Sequence, residues 1–483
     1  MYYARMTSSS TAPTPQWDVR MWGTLIVLCG ALFLDGLDIS MVGVALPSIR
    51  ADLGLSTEQL QWIVSGYVLG YGGLLLLGGR AADLLGRRCV FLAALAVFAV
   101  ASLLGGIASD GTVLVLTRFV KGVSAAFTVP AGLSIITTTF AEGPARNRAI
   151  SIYSAVGASG FSLGLVFGGL LTTFGWRWTF LVPSPIALAV LIAGARLIRR
   201  DDVAPAARRH FDLGGAVSVT AAMLLLVRTV VRAPDVGWTG GETLAGFAVA
   251  ALLLVAFVAI ERRVERPLVR LGILRSAPLV RANVGAFALA GCYFGFQFVV
   301  TLYLQTVLGW SALEMAMALL PAGLLVAFGS TQIGRIATRV GTQRLIAVAF
   351  AAFVAGYALF LRLDASSSYL TLVLPTVLLI GLGFAVGFPA LNIQATAGVA
   401  DGEQGLASGL LNTSLQIGGA LILAVVSAVV SSHGGASAST AELLDGFRAA
   451  VAAVSGIALV ALVVSLSGVA RRAPAAALEG ADA

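Results

Sequence analysis

The chain has 483 residues, of which 58% are hydrophobic and only 11% are charged, with a formal net charge of +8. Because an average soluble domain has about 25% charged residues, this composition excludes an ordinary soluble enzyme and indicates a protein whose surface mostly faces lipid. The positive charge does not indicate nucleic-acid binding, because the arginines lie mainly in short loops between apolar runs.

Apolar runs of about 20 residues, the length of a helix that spans a bilayer, follow one another along nearly the whole chain. Fourteen such runs are present, and an even number places both termini on the same side of the membrane. The predicted spans are residues 22–46, 60–79, 89–108, 112–139, 147–171, 177–197, 212–233, 243–261, 281–308, 313–336, 343–363, 369–397, 404–431 and 447–469. The sequence therefore predicts an all-α integral membrane protein with fourteen transmembrane helices.

The distribution of arginines predicts the orientation of these spans. With a cytoplasmic N-terminus, 23 arginines fall on the cytoplasmic side and five on the opposite side. Basic residues concentrate in the cytoplasmic loops of membrane proteins. Both termini are therefore expected in the cytoplasm, and the protein in the inner or plasma membrane.

Two longer polar segments, residues 198–211 and 261–281, enclose the seventh and eighth spans and leave twelve spans divided six and six. A short repeat supports this division, because glycines seven residues apart follow the second span (Gly79, Gly86) and the tenth (Gly334, Gly341). Internal repeats of this kind are typical of secondary transporters. The predicted organisation is an N-terminal tail at 1–21, a six-helix half at 22–200, a two-helix insert with flanking loops at 201–265, a second six-helix half at 266–470 and a C-terminal tail at 471–483.

Two acidic and two basic side chains fall deep inside predicted spans, where ionisable groups are costly and usually functional. Asp35 and Asp38 share one face of the first helix, and Arg118 and Lys121 share one face of the fourth. Counting about 1.5 Å per residue from the outer ends of the helices, their depths match. The spacing predicts Asp38 opposite Arg118 and Asp35 opposite Lys121.

Two interpretations of these four side chains are open. They could form a purely structural set of ion pairs between two helices. Alternatively they could exchange a proton, because burial raises the pKa of a carboxyl group and a nearby cation lowers it. Lysine also loses its proton readily when buried, whereas arginine does not. Asp35, Asp38 and Lys121 would then titrate beside the fixed charge of Arg118.

Other chemistries are not indicated by the sequence. The single lysine, Lys121, lies in an apolar run and not in the Gly-Lys-Ser/Thr sequence that binds nucleotide phosphates. The three cysteines are far apart in apolar runs and the two histidines are isolated, so neither a metal site nor a nucleophilic site is predicted. We expect no cofactor and no enzymatic activity, with an ion gradient as the energy source.

Aromatic and amide side chains in other spans are candidates for a substrate cavity, because ligand sites are mostly apolar with a few polar groups. Some of them are expected only to pack or bond between helices. The candidates are Tyr67, Tyr71, Tyr293, Phe296, Gln297, Tyr303, Gln305, Phe388, Asn392, Asn412 and Gln416.

Several motifs resemble those of the major facilitator superfamily, specifically its fourteen-helix drug:proton antiporters of the EmrB/QacA type. Residues 37–47, LDISMVGVALP, are similar to the first-helix motif LDxTxVNVALP, and residues 116–122 resemble the fourth-helix motif. The loop from Gly79 to Arg88 is similar to the motif between helices two and three, and residues 160–169 resemble the antiporter motif GxxxGPxxGG. The resemblance covers residues 22–470.

The resemblance implies a proton-coupled exporter of hydrophobic or cationic small molecules, which works by alternating access and as a monomer. It implies that the four buried charged residues couple transport to protons, and that Asp83 lies near the cytoplasmic start of the thirteenth helix. The implied gating-loop residues are Gly79, Asp83, Gly86, Arg87 and Arg88, and the implied packing residues of the antiporter motif are Gly160, Gly164, Gly168 and Gly169.

Two positions depart from the family pattern. Lys121 stands where the family usually has glutamine, and Leu165 replaces the proline of the antiporter motif. The alternative of a proton symporter or a facilitator-type importer of a small metabolite therefore stays open. A membrane sensor without transport would need a soluble output domain, and the sequence has no long polar segment for one.

Overall fold

The computed structural model describes residues 17–55, 57–200, 212–264, 267, 269–433 and 439–470. Within these residues the chain forms fourteen long helices and no strand, and each predicted span overlaps one helix. The helices are α1 (Val19–Leu53), α2 (Thr57–Leu85), α3 (Arg87–Gly106), α4 (Gly111–Thr139), α5 (Pro144–Phe174), α6 (Trp178–Leu197), α7 (Leu213–Val236), α8 (Gly241–Glu261), α9 (Ala277–Val307), α10 (Ala312–Val340), α11 (Thr342–Phe360), α12 (Tyr369–Thr396), α13 (Gln404–His433) and α14 (Thr440–Ala470). The protein is an all-α integral membrane protein.

Helix α1 is longer than the apolar run that predicted it. It continues from residue 46 through Pro47 to Leu53, because the mixed segment 48–53 keeps helical hydrogen bonding although it is not apolar. The helix ends at Gly54, whose φ of 63° is left-handed and whose N–H donates to the carbonyl oxygen of Arg50 over 3.0 Å. Glycine is the residue that adopts this conformation without steric cost.

Thirteen of the described helices contain an apolar stretch long enough to cross a membrane. In α7 this stretch is shorter, Gly214–Val230. Arg228, which was predicted to lie within a span, falls inside this stretch. It is half-exposed and lies 3.7 Å from Glu242 of α8, which Arg232 also approaches to 3.5 Å. Arg228 therefore belongs to an ion cluster near the end of α7, and the crossing of the membrane by α7 stays a prediction.

The same pattern of helix packing occurs twice. Helix α1 packs against α5, α2 against α4, and α3 against α4 and α6; likewise α9 packs against α13, α10 against α12, and α11 against α12 and α14. Helix α5 contacts α10, and α2 contacts α13, across the seam between the two sets. Helices α7 and α8 pack on each other, and α7 also contacts α2 and α13. The residue boundaries of the two halves and of the insert stay predictions.

Because successive helices alternate in direction, α1 begins and α14 ends at the same end of the bundle. Arg20 at the start of α1 donates to the carbonyl oxygen of Leu197 at the end of α6 over 3.0 Å. We call this the arginine-rich end, defined by Arg20, Arg80, Arg87, Arg88, Arg199, Arg200 and Arg270. Its cytoplasmic location stays a prediction. Residues 1–16 of the predicted N-terminal tail (1–21), the predicted C-terminal tail at 471–483, the loop at 201–211 and residues 265 and 266 lie outside the described residues.

Candidate functional site

Asp38 of α1 is the centre of a buried charge cluster. One carboxylate oxygen accepts a hydrogen bond from Arg118 Nη1 and the other accepts one from Lys121 Nζ, both on α4. Arg118 Nε also donates to the carbonyl oxygen of Ile63 over 3.1 Å. All three charged side chains are buried, with exposures of 0–2%, so their charges can be balanced only by each other and by neighbouring dipoles.

The predicted pair of Asp35 and Lys121 is wrong. Lys121 reaches Asp38 instead, donates to Ser102 Oγ over 2.9 Å, and lies 4.7 Å from the centre of the Phe98 ring. Side chains on a helix lean toward its N-terminus. Since α1 and α4 run in opposite directions, Lys121 leans toward the level of Asp38 while Asp35 leans away from both.

Asp35 instead pairs with a neutral group. The hydroxyl of Tyr67 on α2 donates to Asp35 Oδ1, and the Tyr67 ring lies 4.6 Å beneath the Arg118 guanidinium. Tyr67 therefore connects the two acids. The sequence predicted it as a cavity residue and did not predict this role. Asp35 is buried, but its side chain lines a cavity.

This central cavity has a volume of about 160 Å³ and lies between the two sets of helices. Among the described residues that line it, Asp35 is the single charged one. Aromatic rings form the wall from α9 and α12: Tyr293 and Phe384 have ring centres 4.4 Å apart, and Phe384 stacks on Phe388 at 5.4 Å. Its other lining residues include Tyr71, Phe161, Ser162, Phe294, Asn412 and Gln416.

Five of the candidate cavity residues line this space: Tyr71, Tyr293, Phe388, Asn412 and Gln416. Phe296 and Gln297 line a smaller cavity of about 30 Å³, which shares Phe161, Ser162 and Tyr293 with the larger one. Phe161, Phe294 and Phe384 complete the aromatic lining. Phe161 was not selected because an isolated phenylalanine in an apolar run gives no sequence signal of which way it faces.

Besides Tyr67, three candidates lie outside both cavities. The Tyr303 hydroxyl donates to the carbonyl oxygen of Asp364 over 2.7 Å, at the end of the bundle away from the arginines. Gln305 contacts the Met315 sulfur at 3.3 Å. Asn392 is buried and donates to the carbonyl oxygen of Phe388, one turn back in its own helix, over 2.8 Å. Residue type within a span did not reveal depth or facing direction, so these three assignments to the cavity are wrong.

The end of α2 and the start of α3 contact the other half of the molecule. Asp83 accepts hydrogen bonds from the backbone N–H groups of Gly405 (3.1 Å) and Leu406 (3.0 Å), in the first turn of α13, where the resemblance places it. Arg87 lies 3.6 Å from Asp83 and donates to the carbonyl oxygen of Asp401. We call Asp83, Arg87 and the backbone of residues 401–406 the latch. A carboxylate is stabilised at this position because a helix N-terminus is electropositive.

The glycines of the repeat have matching roles. Gly79 packs on the backbone of Gly405 in α13, and Gly334 packs on the backbone of Asn147 in α5. Gly86 and Gly341 have φ values of 100° and 86°, which other residues rarely adopt. Arg88, which was grouped with the gating loop, donates to the carbonyl oxygen of Ala195 at the end of α6 over 2.6 Å.

Three of the four glycines of the antiporter motif pack α5 onto α1. A side chain at Gly164 would meet the carbonyl oxygen of Leu37 at 2.7 Å, and one at Gly168 would meet the Cα of Met41 at 2.8 Å; Gly160 faces Phe33 in the same way. Gly169 has no described atom within 4 Å of such a side chain, so its predicted packing role is wrong. Along a helix, residue 169 is turned by about 100° from residue 168.

A sequence model of the Major Facilitator Superfamily matches residues 28–423. The chain belongs to this superfamily. The puromycin resistance protein pur8 of Streptomyces alboniger is 38% identical, over 93% of this chain and 91% of that protein. The cephamycin export protein CmcT of Amycolatopsis lactamdurans is 36% identical, over 97% and 96%. The lincomycin resistance protein of Streptomyces lincolnensis is 34% identical, over 92% and 90%.

The fold of this superfamily member matches a solved structure. The human organic anion transporter MFSD10 superposes with a TM-score of 0.68 and 18% identity, covering 93% of this chain and all of that one. This match confirms the fold. The superfamily model and the resistance and export proteins confirm the predicted resemblance to the drug-efflux members of the Major Facilitator Superfamily, so the chain is a multi-pass membrane transporter.

Proposed function

We propose that this transporter exports hydrophobic or cationic small molecules, such as drugs or antibiotics, in exchange for protons. The related chains named for antibiotic resistance and export support the direction of transport. The protein would act as a monomer in the inner or plasma membrane with both termini in the cytoplasm. It would need no cofactor, because the proton gradient supplies the energy.

The observation that carries the proton coupling is the position of Asp35. It places one carboxylate in an apolar cavity, beside the neutral Tyr67 hydroxyl. A buried carboxylate can be neutralised by a proton or by the positive charge of a bound molecule, and both at once would leave a net charge. Binding of a proton therefore favours release of the positively charged molecule, and binding of the molecule favours release of the proton. Exchange requires this competition.

Asp38 has a different part in this proposal. Because Arg118 and Lys121 occupy both of its oxygens, it would hold α1 and α4 together and fix the electrostatic environment of Asp35. Tyr67 would transmit changes between the two acids, since its hydroxyl bonds Asp35 while its ring contacts Arg118.

The test is efflux from proteoliposomes under an imposed pH gradient, followed with a fluorescent aromatic cation such as ethidium. We expect Asp35→Asn to remain folded but to show no gradient-driven movement above the uncoupled background, because the amide cannot exchange a proton. Asp445→Asn, which removes an exposed carboxylate, is the matched control and should transport normally. Full gradient-driven efflux in Asp35→Asn would refute the role of Asp35.

A further inference from the structure

A second cavity, of about 300 Å³, lies at the arginine-rich end, away from the central cavity. It is formed by the starts of α1 and α3, the end of α4 and the residues that follow α6. Arg20, Arg87, Arg199 and Arg200 line it, together with one carboxylate, Asp18. Asp18 is already engaged, since it caps α1 by accepting the N–H of Met21 over 2.6 Å. The cavity therefore presents an excess of positive charge.

The positive charges differ in how they are held. Arg20 is fixed on the carbonyl oxygen of Leu197 through Nε, and Arg87 belongs to the latch. Arg199 and Arg200 line the cavity and are exposed. Guanidinium groups present a planar set of N–H donors that matches the oxygens of a phosphate group. The lining is suited to an anionic phosphate.

Two tryptophans indicate the depth of this cavity in the membrane. Trp17 and Trp22 lie at the start of α1, where the Arg148 guanidinium stacks on both rings at 4.8 and 5.4 Å. Tryptophan is enriched at the level of the lipid headgroups. The apolar lining residues Met21, Ile135 and Ile198 suit the glycerol and upper acyl region of a lipid better than they suit a free ion.

We propose that this cavity binds the phosphate headgroup of an anionic phospholipid, with Arg199 and Arg200 as its principal ligands. Basic pockets between transmembrane helices are suited to such headgroups. Since Arg87 lines the cavity and also bonds the residues before α13, a bound lipid contacts the same side chain that joins the two halves. Lipid composition would thereby influence how firmly the arginine-rich end is closed.

The test is the thermal stability of the purified full-length protein in detergent, with added phosphatidylglycerol, phosphatidylcholine or inorganic phosphate. We expect phosphatidylglycerol to raise the melting temperature of the wild type more than phosphatidylcholine does. The double variant Arg199→Gln/Arg200→Gln should lose most of that difference. The matched control is Arg196→Gln, which removes an exposed arginine from the same helix end but outside the cavity lining. Asp201 and Asp202, which lie outside the described residues, stay unchanged in every variant.

An equal response of the double variant and the Arg196→Gln control would overturn the proposal. So would an equal shift with inorganic phosphate, because the site would then take a free ion and not a lipid. If the double variant is not monodisperse, the single variants Arg199→Gln and Arg200→Gln are tested in its place. Each should lose part of the difference in melting temperature between phosphatidylglycerol and phosphatidylcholine. Native mass spectrometry provides a second measurement, in which fewer phosphatidylglycerol molecules should be retained by the variants than by the control.

Discussion

Both oxygens of Asp38 accept hydrogen bonds from cations, one from Arg118 and one from Lys121, whereas the hydrogen-bond donor to Asp35 is the Tyr67 hydroxyl. The two acids are three residues apart on one helix, so the difference comes from what α2 and α4 present to them. A carboxylate held by two buried cations is costly to change, because its loss leaves both charges uncompensated. A carboxylate beside a neutral hydroxyl and an open cavity can change its charge with less disruption.

Asp38→Asn should therefore destabilise the protein by about 3–5 kcal/mol, the usual cost of stranding a buried charge. Adding Lys121→Gln should recover part of the loss, since only Arg118 then lacks its partner. The measurement is a double-mutant cycle of these two changes on thermal unfolding in detergent. The reference cycle combines Lys121→Gln with Asp35→Asn and should show the smaller coupling energy. A larger coupling to Asp35 than to Asp38 would contradict the observed pairing.

At this scale the sequence predicted which charged residues gather, but not every pairing. Depth along the two helices was enough to predict the pair of Asp38 and Arg118, whose side chains form an ion pair. It failed for Lys121, because a long side chain displaces its ammonium group from the level of its own Cα. The roles of Ser102 and Tyr67 as hydrogen-bond partners have no sequence signal, since each depends on the rotation of a third helix.

Among the helices, α1 and α5 approach each other along a row of glycines spaced four residues apart, Gly160, Gly164 and Gly168. In lipid the association of helices depends on such close packing and not on the hydrophobic effect. Helix α5 also contacts α10 of the other half. This row of glycines therefore sets the distance between α1, which carries Asp35 and Asp38, and the seam between the two halves.

Gly164→Ala should destabilise the protein by about 1–3 kcal/mol, the usual cost of overpacking, because the new methyl group would press on Ser40 and on the backbone at Leu37. Gly169→Ala, in the same motif and helix, should be nearly neutral, because its methyl group would meet no described atom within 4 Å. Thermal unfolding of the two variants in the same detergent makes the comparison. Equal destabilisation of the two variants would show that the contact with α1 does not determine the effect, since the gain in helix propensity from glycine to alanine is the same in both.

The helices themselves were predictable because a bilayer allows few alternatives: every backbone polar group in lipid must be bonded within the chain. Apolar length therefore located each helix. Its ends were less predictable, as α1 shows, because residues 48–53 continue the helix without being apolar. The π-turn at Tyr303–Val307 is equally invisible to a hydropathy pattern.

Across the whole molecule, several contacts between the halves gather at the arginine-rich end. The latch is one, Glu142 Oε1 accepts the N–H of Gly398 over 3.0 Å, and Arg80 donates to the carbonyl oxygen of Pro267 over 3.3 Å. The structure is therefore closed at this end. The repeat in the sequence predicted that the two halves correspond, but the partners across the seam follow from how the halves dock, which no local pattern encodes.

Asp83→Ala should open this end. Each hydrogen bond to a charged group contributes about 1.5–3 kcal/mol, and about 1.4 kcal/mol changes a population ratio tenfold, so the closed state should lose at least about one order of magnitude. The measurement is the distance distribution between spin labels at Ala145 and Ala400, in a background without the native cysteines. Asp364→Ala, at the opposite end, should leave the distribution unchanged. An unchanged distribution in Asp83→Ala would mean that the latch does not control the closed state.

Lys121 has a practical consequence for studying this protein. It is the sole lysine of the sequence, so the only other primary amine of the unmodified polypeptide is its terminal amino group. Its side chain is fully buried. Amine-acylating reagents, which label most proteins at many positions, are here directed to one internal atom, next to Asp38. The natural sequence thus contains a single chemical reporter at the centre of its charge cluster, and its rate of acylation measures how often that cluster is exposed to water.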